Sequence, residues 1–248
     1  MPITSLSGAL QISGQDLLTD SSTQQHALGQ YAETSDGRGY RYCKVGATAT
    51  VPGKLYVGAD FDVVNHSPAG GLGVNAAVAI GGTDIVISTS TTLVLNELAG
   101  GFLSVGITPG QGYTYRIKSN TATSAATLAT IVLDDPLKIA LTTASKVVVV
   151  QHQYNGVVVS PGAASTGVPV GVANSIITAA YFGWLQTYGP CSILSGVATS
   201  ISLPGVPVSP SASTAGSVIV STAILPTVGW AMHLFTATEY NLVHLTLR

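Results

Sequence analysis

The sequence predicts an all-β fold: a β-barrel or β-tulip-like body, an inserted second β module and an extended N-terminal arm. Three observations carry this. Strand-sized runs rich in Val, Ile, Thr and Tyr recur along the chain, and these residues suit a pleated, half-buried surface. Turn formers separate the runs, with 28 Gly and 12 Pro in 248 residues. No window of 12 residues keeps an apolar 3.6-residue period with charges opposite. Many short strands between Gly/Pro turns indicate a barrel or sandwich.

Taken in order, residues 1–30 are small and polar, with scattered Ile3, Leu6, Leu10, Ile12, Leu17 and Leu18. They read as an arm with little core of its own, ordered by a neighbouring subunit. Deleting residues 2–24 should then leave the β body folded. Leu17–Gln30 predicts one short helical turn. Asp36-Gly37 predicts a tight hairpin, followed by a strand over Gly39–Val45 with Tyr40, Tyr42 and Lys44 on one face and Arg41, Cys43 and Val45 on the other. Pro52-Gly53 is a turn, Lys54–Val57 a strand, Asn65–Gly71 a loop and Leu72–Ile80 a short Ala-rich helix. Strands are expected at Asp84–Thr89, Thr92–Leu95, Gly101–Ile107, Gly112–Lys118, Thr127–Leu133, Leu137–Leu141 and Lys146–Gln153. Further strands are expected at Gly156–Ser160, Val168–Val172, Ile176–Gln186, Ser192–Leu194, Ser217–Ala223, Val228–Phe235 and Asn241–Leu247, with Leu203–Ser213 as a loop. Gly-aromatic strands recur near both ends. Residues 31–65 and 154–248 are therefore assigned to one body, and 66–153 to the inserted module.

Charge excludes several functions. The chain has 9 Lys+Arg and 11 Asp+Glu, a formal net charge of -2. A nucleic-acid partner would require a basic surplus to neutralise phosphates. Disorder requires low hydrophobicity and high charge, whereas 46% of this chain is hydrophobic. No apolar run approaches the roughly 18 residues of a membrane-spanning helix. Met1-Pro2-Ile3-Thr4-Ser5 has neither the basic start nor the apolar stretch of a secretory signal. Cys43 and Cys191 are the only cysteines, too few for a disulfide framework or a zinc ligand set. Two free, half-buried thiols are expected, with a disulfide between them as the alternative if their strands are adjacent.

The search for reactive groups assigns no catalytic, cofactor-binding or metal-binding residue. Gly71-Leu72-Gly73-Val74-Asn75-Ala76 matches a loose dinucleotide fingerprint, but no strand precedes it as that mechanism requires. His26, His66, His152, His233 and His244 are dispersed, and no Gly-x-Ser-x-Gly elbow is present. Asp60, Asp62 and Asn65 could meet a cation, although a solvated strand end explains them more simply. Asp134-Asp135-Pro136 reads as a turn. Asn65-His66-Ser67 matches a glycosylation acceptor, which matters only in a secreted chain. Trp184, Tyr188 and Trp230 could line a sugar site, but Trp184 and Trp230 lie in apolar strands and are expected in the barrel core.

Several stretches carry a resemblance. They are Asp36–Ala47, Gly100–Leu103, Gly110–Asn120, Asp135–Leu137, Gly167–Val172, Tyr181–Cys191, Val228–Met232 and Glu239–Leu245. Together they resemble tailed-bacteriophage capsid decoration, or cement, proteins. The resemblance implies a non-enzymatic virion subunit, often trimeric, that clamps onto the outer surface of the major capsid protein shell. No cofactor, nucleic acid or membrane is expected. Assembly would occur in the host cytoplasm. A rival expectation is a head-fibre or host-surface adhesin that binds glycans through the inserted module. A hydrolase on a β scaffold is a third, without a motif.

Overall fold

The computed structural model describes residues 10–59, 66–90, 92–124, 127–164, 166–197, 200–222 and 225–247. The fold is all-β and barrel-like. It divides into two compact units, residues 1–59 with 153–248, and residues 60–152. The sequence-based joints stand at 65/66 and 153/154.

The first unit begins with β1 (Leu10–Gln11), α1 (Gly14–Leu17), β2 (Tyr31–Glu33), β3 (Gly39–Val45) and β4 (Leu55–Val57). The second holds β5 (Leu72–Gly73), β6 (Asp84–Ser88), β7 (Phe102–Ile107), β8 (Thr114–Asn120), β9 (Leu128–Leu133) and β10 (Lys146–Val150). The chain then returns to the first unit as β11 (Asn155–Val159), β12 (Pro169–Ala173), β13 (Phe182–Leu194), β14 (Pro207–Pro210), β15 (Val218–Val220), β16 (Gly229–Ala231) and β17 (Tyr240–Thr246).

In the first unit, β3, β11, β4, β12 and β13 close into a barrel, because β13 pairs back onto β3. Its interior holds Cys43, Val45, Tyr56, Val157, Val170, Ala173 and Leu185. β13 is thirteen residues long and serves two sheets. Its first half pairs with β3, from Phe182↔Lys44 to Tyr188↔Gly39. Its second half pairs with β17, from Tyr188↔Thr246 to Leu194↔Tyr240. Gly189 sits at the changeover with φ +84, a left-handed conformation that glycine adopts without a Cβ clash. The sheet continues through β16, β14 and β15 and covers a second core of Ile193, Val208, Val218, Val228, Val243 and Leu245.

The second unit orders its strands β5-β10-β7-β8-β9-β6. A bridge between Val74 and Ile87 links the end of β5 to β6. Alternate residues point inward, so Ile85, Ile87, Leu103, Val105, Ile117, Ile131, Val147 and Val149 form its core.

Several local expectations need correction. Leu72–Ile80 is not helical: β5 and the bridges at Val74 and Val78 occupy it, and ladder pairing overrides the helix propensity of alanine. Thr92–Leu95 and Leu137–Leu141 contribute isolated bridges at Leu93 and Leu141 instead of strands. Ile176–Gln186 and Ser192–Leu194 are replaced by the continuous β13, starting at Phe182. Leu203–Ser213 contains β14, whose prolines stand at its two ends, where missing N–H groups least disturb pairing.

The N-terminal reading also changes. Residues 10–30 form a strap on their own body. β1 runs parallel to β2. The helical turn lies at Gly14–Leu17, earlier than expected, because Ser13 and Asp16 form a capping box: Asp16 N–H donates to Ser13 Oγ at 3.3 Å, and Ser13 N–H to the Asp16 carboxylate at 3.3 Å. Leu17 is buried with Ala32, Tyr40, Tyr42 and Trp184, and Leu10, Ile12, Leu28 and Phe182 pack around them.

Candidate functional site

The outer face of β3 and β13 is built by alternation. Tyr42 lies directly across from Trp184, Tyr40 from Gln186, and Lys44 from Phe182. Tyr40, Tyr42 and Lys44 thus share a face, as their spacing predicts. The strap adds His26, whose ring centroid lies 5.1 Å from Tyr42 and 5.3 Å from Trp184. Tyr42 and Trp184 meet edge-on at 5.0 Å, and Tyr42 stacks on Phe182 at 6.1 Å. Such pairs each contribute roughly 0.5–1.5 kcal/mol beyond their burial.

Polar contacts fix the strap over this aromatic face. Gln25 N–H donates to the Tyr42 hydroxyl at 3.1 Å. Ser21 and Phe182 exchange two backbone hydrogen bonds of 3.0 and 2.9 Å. Thr178 N–H donates to the Asp20 carboxylate at 2.7 Å, and hydrogen bonds from Thr178 hold that carboxyl below its ordinary pKa. Between strap and sheet lies a cavity of about 330 Å³. Asp16, Asp20, Gln25 and His26 line it from the strap; Tyr42, Phe182 and Trp184 line it from the sheet.

A second feature is an exposed apolar face on β16 and β17. Trp230 is 46% exposed and is paired across from His244. Tyr240 and Leu242 of β17 are also exposed, as are Met232, whose N–H donates to the Leu242 carbonyl, and Leu234 in the connection between the two strands. Contiguous apolar exposure of this kind marks interaction surfaces. A cavity of about 410 Å³ adjoins it, lined by Tyr240, Leu242, Arg38, Asn174 and Gln186.

These positions test the residues singled out from sequence. Beneath the strap, on the outer face of β3 and β13 and not in the barrel interior as expected, Trp184 is buried, 4% exposed. Trp230 is not: β16 is only three residues long, its neighbours Gly229 and Ala231 are the buried ones, and alternation turns Trp230 outward. Tyr188 meets His244 edge-on at 5.2 Å on the β13–β17 side, whereas Trp184 faces Tyr42, so the three aromatics do not assemble one sugar site.

The five histidines stay dispersed. His66 lies 3.7 Å from Glu97, His233 accepts a hydrogen bond from Leu242 N–H, and burial pushes the His152 pKa down. Among the described residues, no three His, Cys, Asp or Glu side chains come together as a metal site. Asp60, Asp62 and Asn65 lie outside the described residues. Asp134 pairs with Arg116 at 3.4 Å.

Cys43 and Cys191 are free, and fully buried instead of half-buried. Burial pushes the Cys43 thiol up and the Cys191 thiol up to about 12, so both remain protonated and unreactive at neutral pH. No helix among the described residues is long and apolar enough to cross a membrane.

No family model, curated protein or solved structure matches this chain.

The aromatic cluster was not assigned from sequence, because His26, Tyr42, Phe182 and Trp184 come from three distant segments. The one local signal available was Ser13-Gly14-Gln15-Asp16, a capping-box spacing that places the strap's helical turn.

Proposed function

We propose that this chain is a non-enzymatic structural subunit of a phage virion, a capsid decoration protein that docks on the outer surface of the major capsid protein shell. The observation that carries the reading is the exposed apolar face of Trp230, Met232, Leu234, Tyr240 and Leu242. Interfaces are anchored by a few Trp and Tyr side chains that become desolvated on docking. A chain with 20 charged side chains (9 plus 11) in 248 residues leaves few charges to desolvate at such a contact. The resembling segments Tyr181–Cys191, Val228–Met232 and Glu239–Leu245 cover most of β13, all of β16 and most of β17. Repetition over a shell would multiply a modest contact, and a trimeric arrangement is part of the proposal.

The test is particle stability. Virions lacking the protein should assemble but release DNA at lower temperature, and the intact virion should carry hundreds of copies by quantitative mass spectrometry. A handful of copies, or an unchanged release temperature, would defeat the proposal.

One observation favours a second reading. Phe102 and Tyr113 of the second unit are 51% and 41% exposed, as a glycan-binding adhesin would require. Unchanged DNA release together with lost host adsorption would select it.

A further inference from the structure

We propose that the cavity beneath the N-terminal strap is a binding site for a neutral saccharide unit. The inference does not depend on the shell-docking reading, which rests on β16 and β17.

The cavity's walls are of two kinds. One wall is aromatic: Tyr42, Phe182 and Trp184 on the sheet, extended by the half-buried His26. Phe182 and His26, both half-buried, offer ring surface that can receive the C–H face of a pyranose, whereas Tyr42 and Trp184 are buried within the wall. Polar groups come mainly from the strap, beside its apolar Leu10 and Ile12, and from the Tyr42 hydroxyl. Asp16 uses one oxygen, Oδ2, to cap Ser13, which leaves acceptor capacity on the carboxylate. The Tyr42 hydroxyl accepts from Gln25 N–H and keeps its own proton to donate. Among the described residues, the His26 imidazole meets its neighbours through ring contacts with Tyr42 and Trp184, and its nitrogens point to no hydrogen-bonding partner. An apolar platform facing a few convergent polar atoms is the usual composition of a small-molecule site, and about 330 Å³ falls within the roughly 300–1,000 Å³ such sites occupy.

Charge selects the ligand class. Among the described residues no Lys or Arg lines the cavity, so a phosphorylated or carboxylated ligand would face two carboxylates, Asp16 and Asp20, against the single Lys44 charge near Phe182. Aromatic rings with two carboxylates also suit a quaternary ammonium. However, Lys44 Nζ already lies 5.8 Å from the Phe182 ring centroid, which places a positive charge at that edge and disfavours a second cation. A neutral polyhydroxyl ring satisfies both walls.

The sequence contains two tryptophans, so Trp230→Phe makes Trp184 the sole indole reporter. The isolated protein carrying that change is titrated with methyl glycosides of glucose, galactose, mannose, rhamnose and N-acetylglucosamine, and with tetramethylammonium. The expected result is a saturable change in Trp184 emission with one or more glycosides. Adding His26→Ala or Asp16→Asn should weaken it about tenfold, with the melting temperature of each variant as the folding control. Saturation-transfer NMR on the unmutated protein provides a second readout that needs no variant. No saturable response to any glycoside by either method would overturn the proposal. So would a response to tetramethylammonium alone, or glycoside binding that His26→Ala leaves unchanged.

Discussion

Trp184 and Trp230 are the same residue type in opposite environments, and replacing each by alanine should separate folding from docking. Trp184 is 4% exposed and touches His26 and Tyr42 within the cluster that also holds Leu17 and Tyr40. Its truncation leaves a void between strap and sheet, and buried Trp→Ala changes cost about 3–5 kcal/mol. At roughly 2–4 °C per kcal/mol for a unit of this size, the melting temperature should fall by about 10 °C. Trp230 is 46% exposed. Nearly half of a side chain of roughly 250 Å² is ~115 Å², and at ~25 cal/mol per Å² its burial on a partner is worth about 3 kcal/mol. Trp230→Ala should therefore weaken shell docking about a hundredfold while costing no more than about 1 kcal/mol of stability. The assays are denaturant unfolding of the isolated proteins and occupancy of protein-depleted particles by sedimentation. Equal destabilisation by both changes would refute the assignment of Trp230 as a surface anchor. Unchanged occupancy with Trp230→Ala would refute the docking face.

Three further outcomes follow from the geometry. Leu17→Ala should cost about 2–5 kcal/mol, and deleting residues 2–24 should destabilise the body by uncovering Tyr42 and Trp184. Limited proteolysis and melting measure this, and an unchanged melt would return the strap to the status of an independent arm. Raising the pH should destabilise the fold. Burial raises the Cys191 thiol from 9.0 to about 12 and the Tyr154 hydroxyl from 10.0 to about 12, so the unfolded chain loses protons first. The associated stability is intact below pH 9.0, the ordinary thiol value, and is lost as pH rises towards the folded-state values. Unfolding free energy that stays flat to about pH 11 would contradict that burial. Gly189→Ala should cost at least 1–2 kcal/mol, roughly the penalty of a left-handed L-residue, because φ is +84 and the new Cβ would lie 3.2 Å from Arg38 Cγ. A neutral effect in thermal melting would mean that β13 does not need this conformation.

Local rules and long-range pairing divide what was legible in the sequence. Gly39–Val45 reads as a two-faced strand because its alternation is local, and Asp36-Gly37 announces its hairpin. Pro190 after Gly189 reads as a break, yet β13 passes straight through: Gly189 supplies the left-handed step and Pro190 lies opposite His244 on the second partner strand. No local rule reports that one strand changes partners midway. Leu72–Ile80 fails as a helix for the same reason, since β10 and Leu141 are far away in sequence. The strap was misread because its few apolar residues looked insufficient. Leu17 needs only the aromatic surface of β3 and β13, which pairing assembles from distant segments. Trp230 was misread because apolar neighbours along a strand do not indicate which way a side chain faces.

The way the second unit is attached has a consequence for modularity. The chain leaves the five-stranded barrel just after β4 and re-enters just before β11, and these strands are antiparallel neighbours, with Val57 opposite Val158 and Tyr56 opposite Val159. A Cβ built on Gly58 would lie 3.1 Å from the Gln153 carbonyl oxygen, so the two crossing strands are side by side where the excursion begins and ends. To the barrel, residues 60–152 are equivalent to the loop of a β-hairpin. The conformational entropy of closing such a loop grows only logarithmically with its length. The barrel thus presents two adjacent strand ends, and the chain that joins them can be enlarged, shortened or exchanged without altering the register of any strand that closes the barrel.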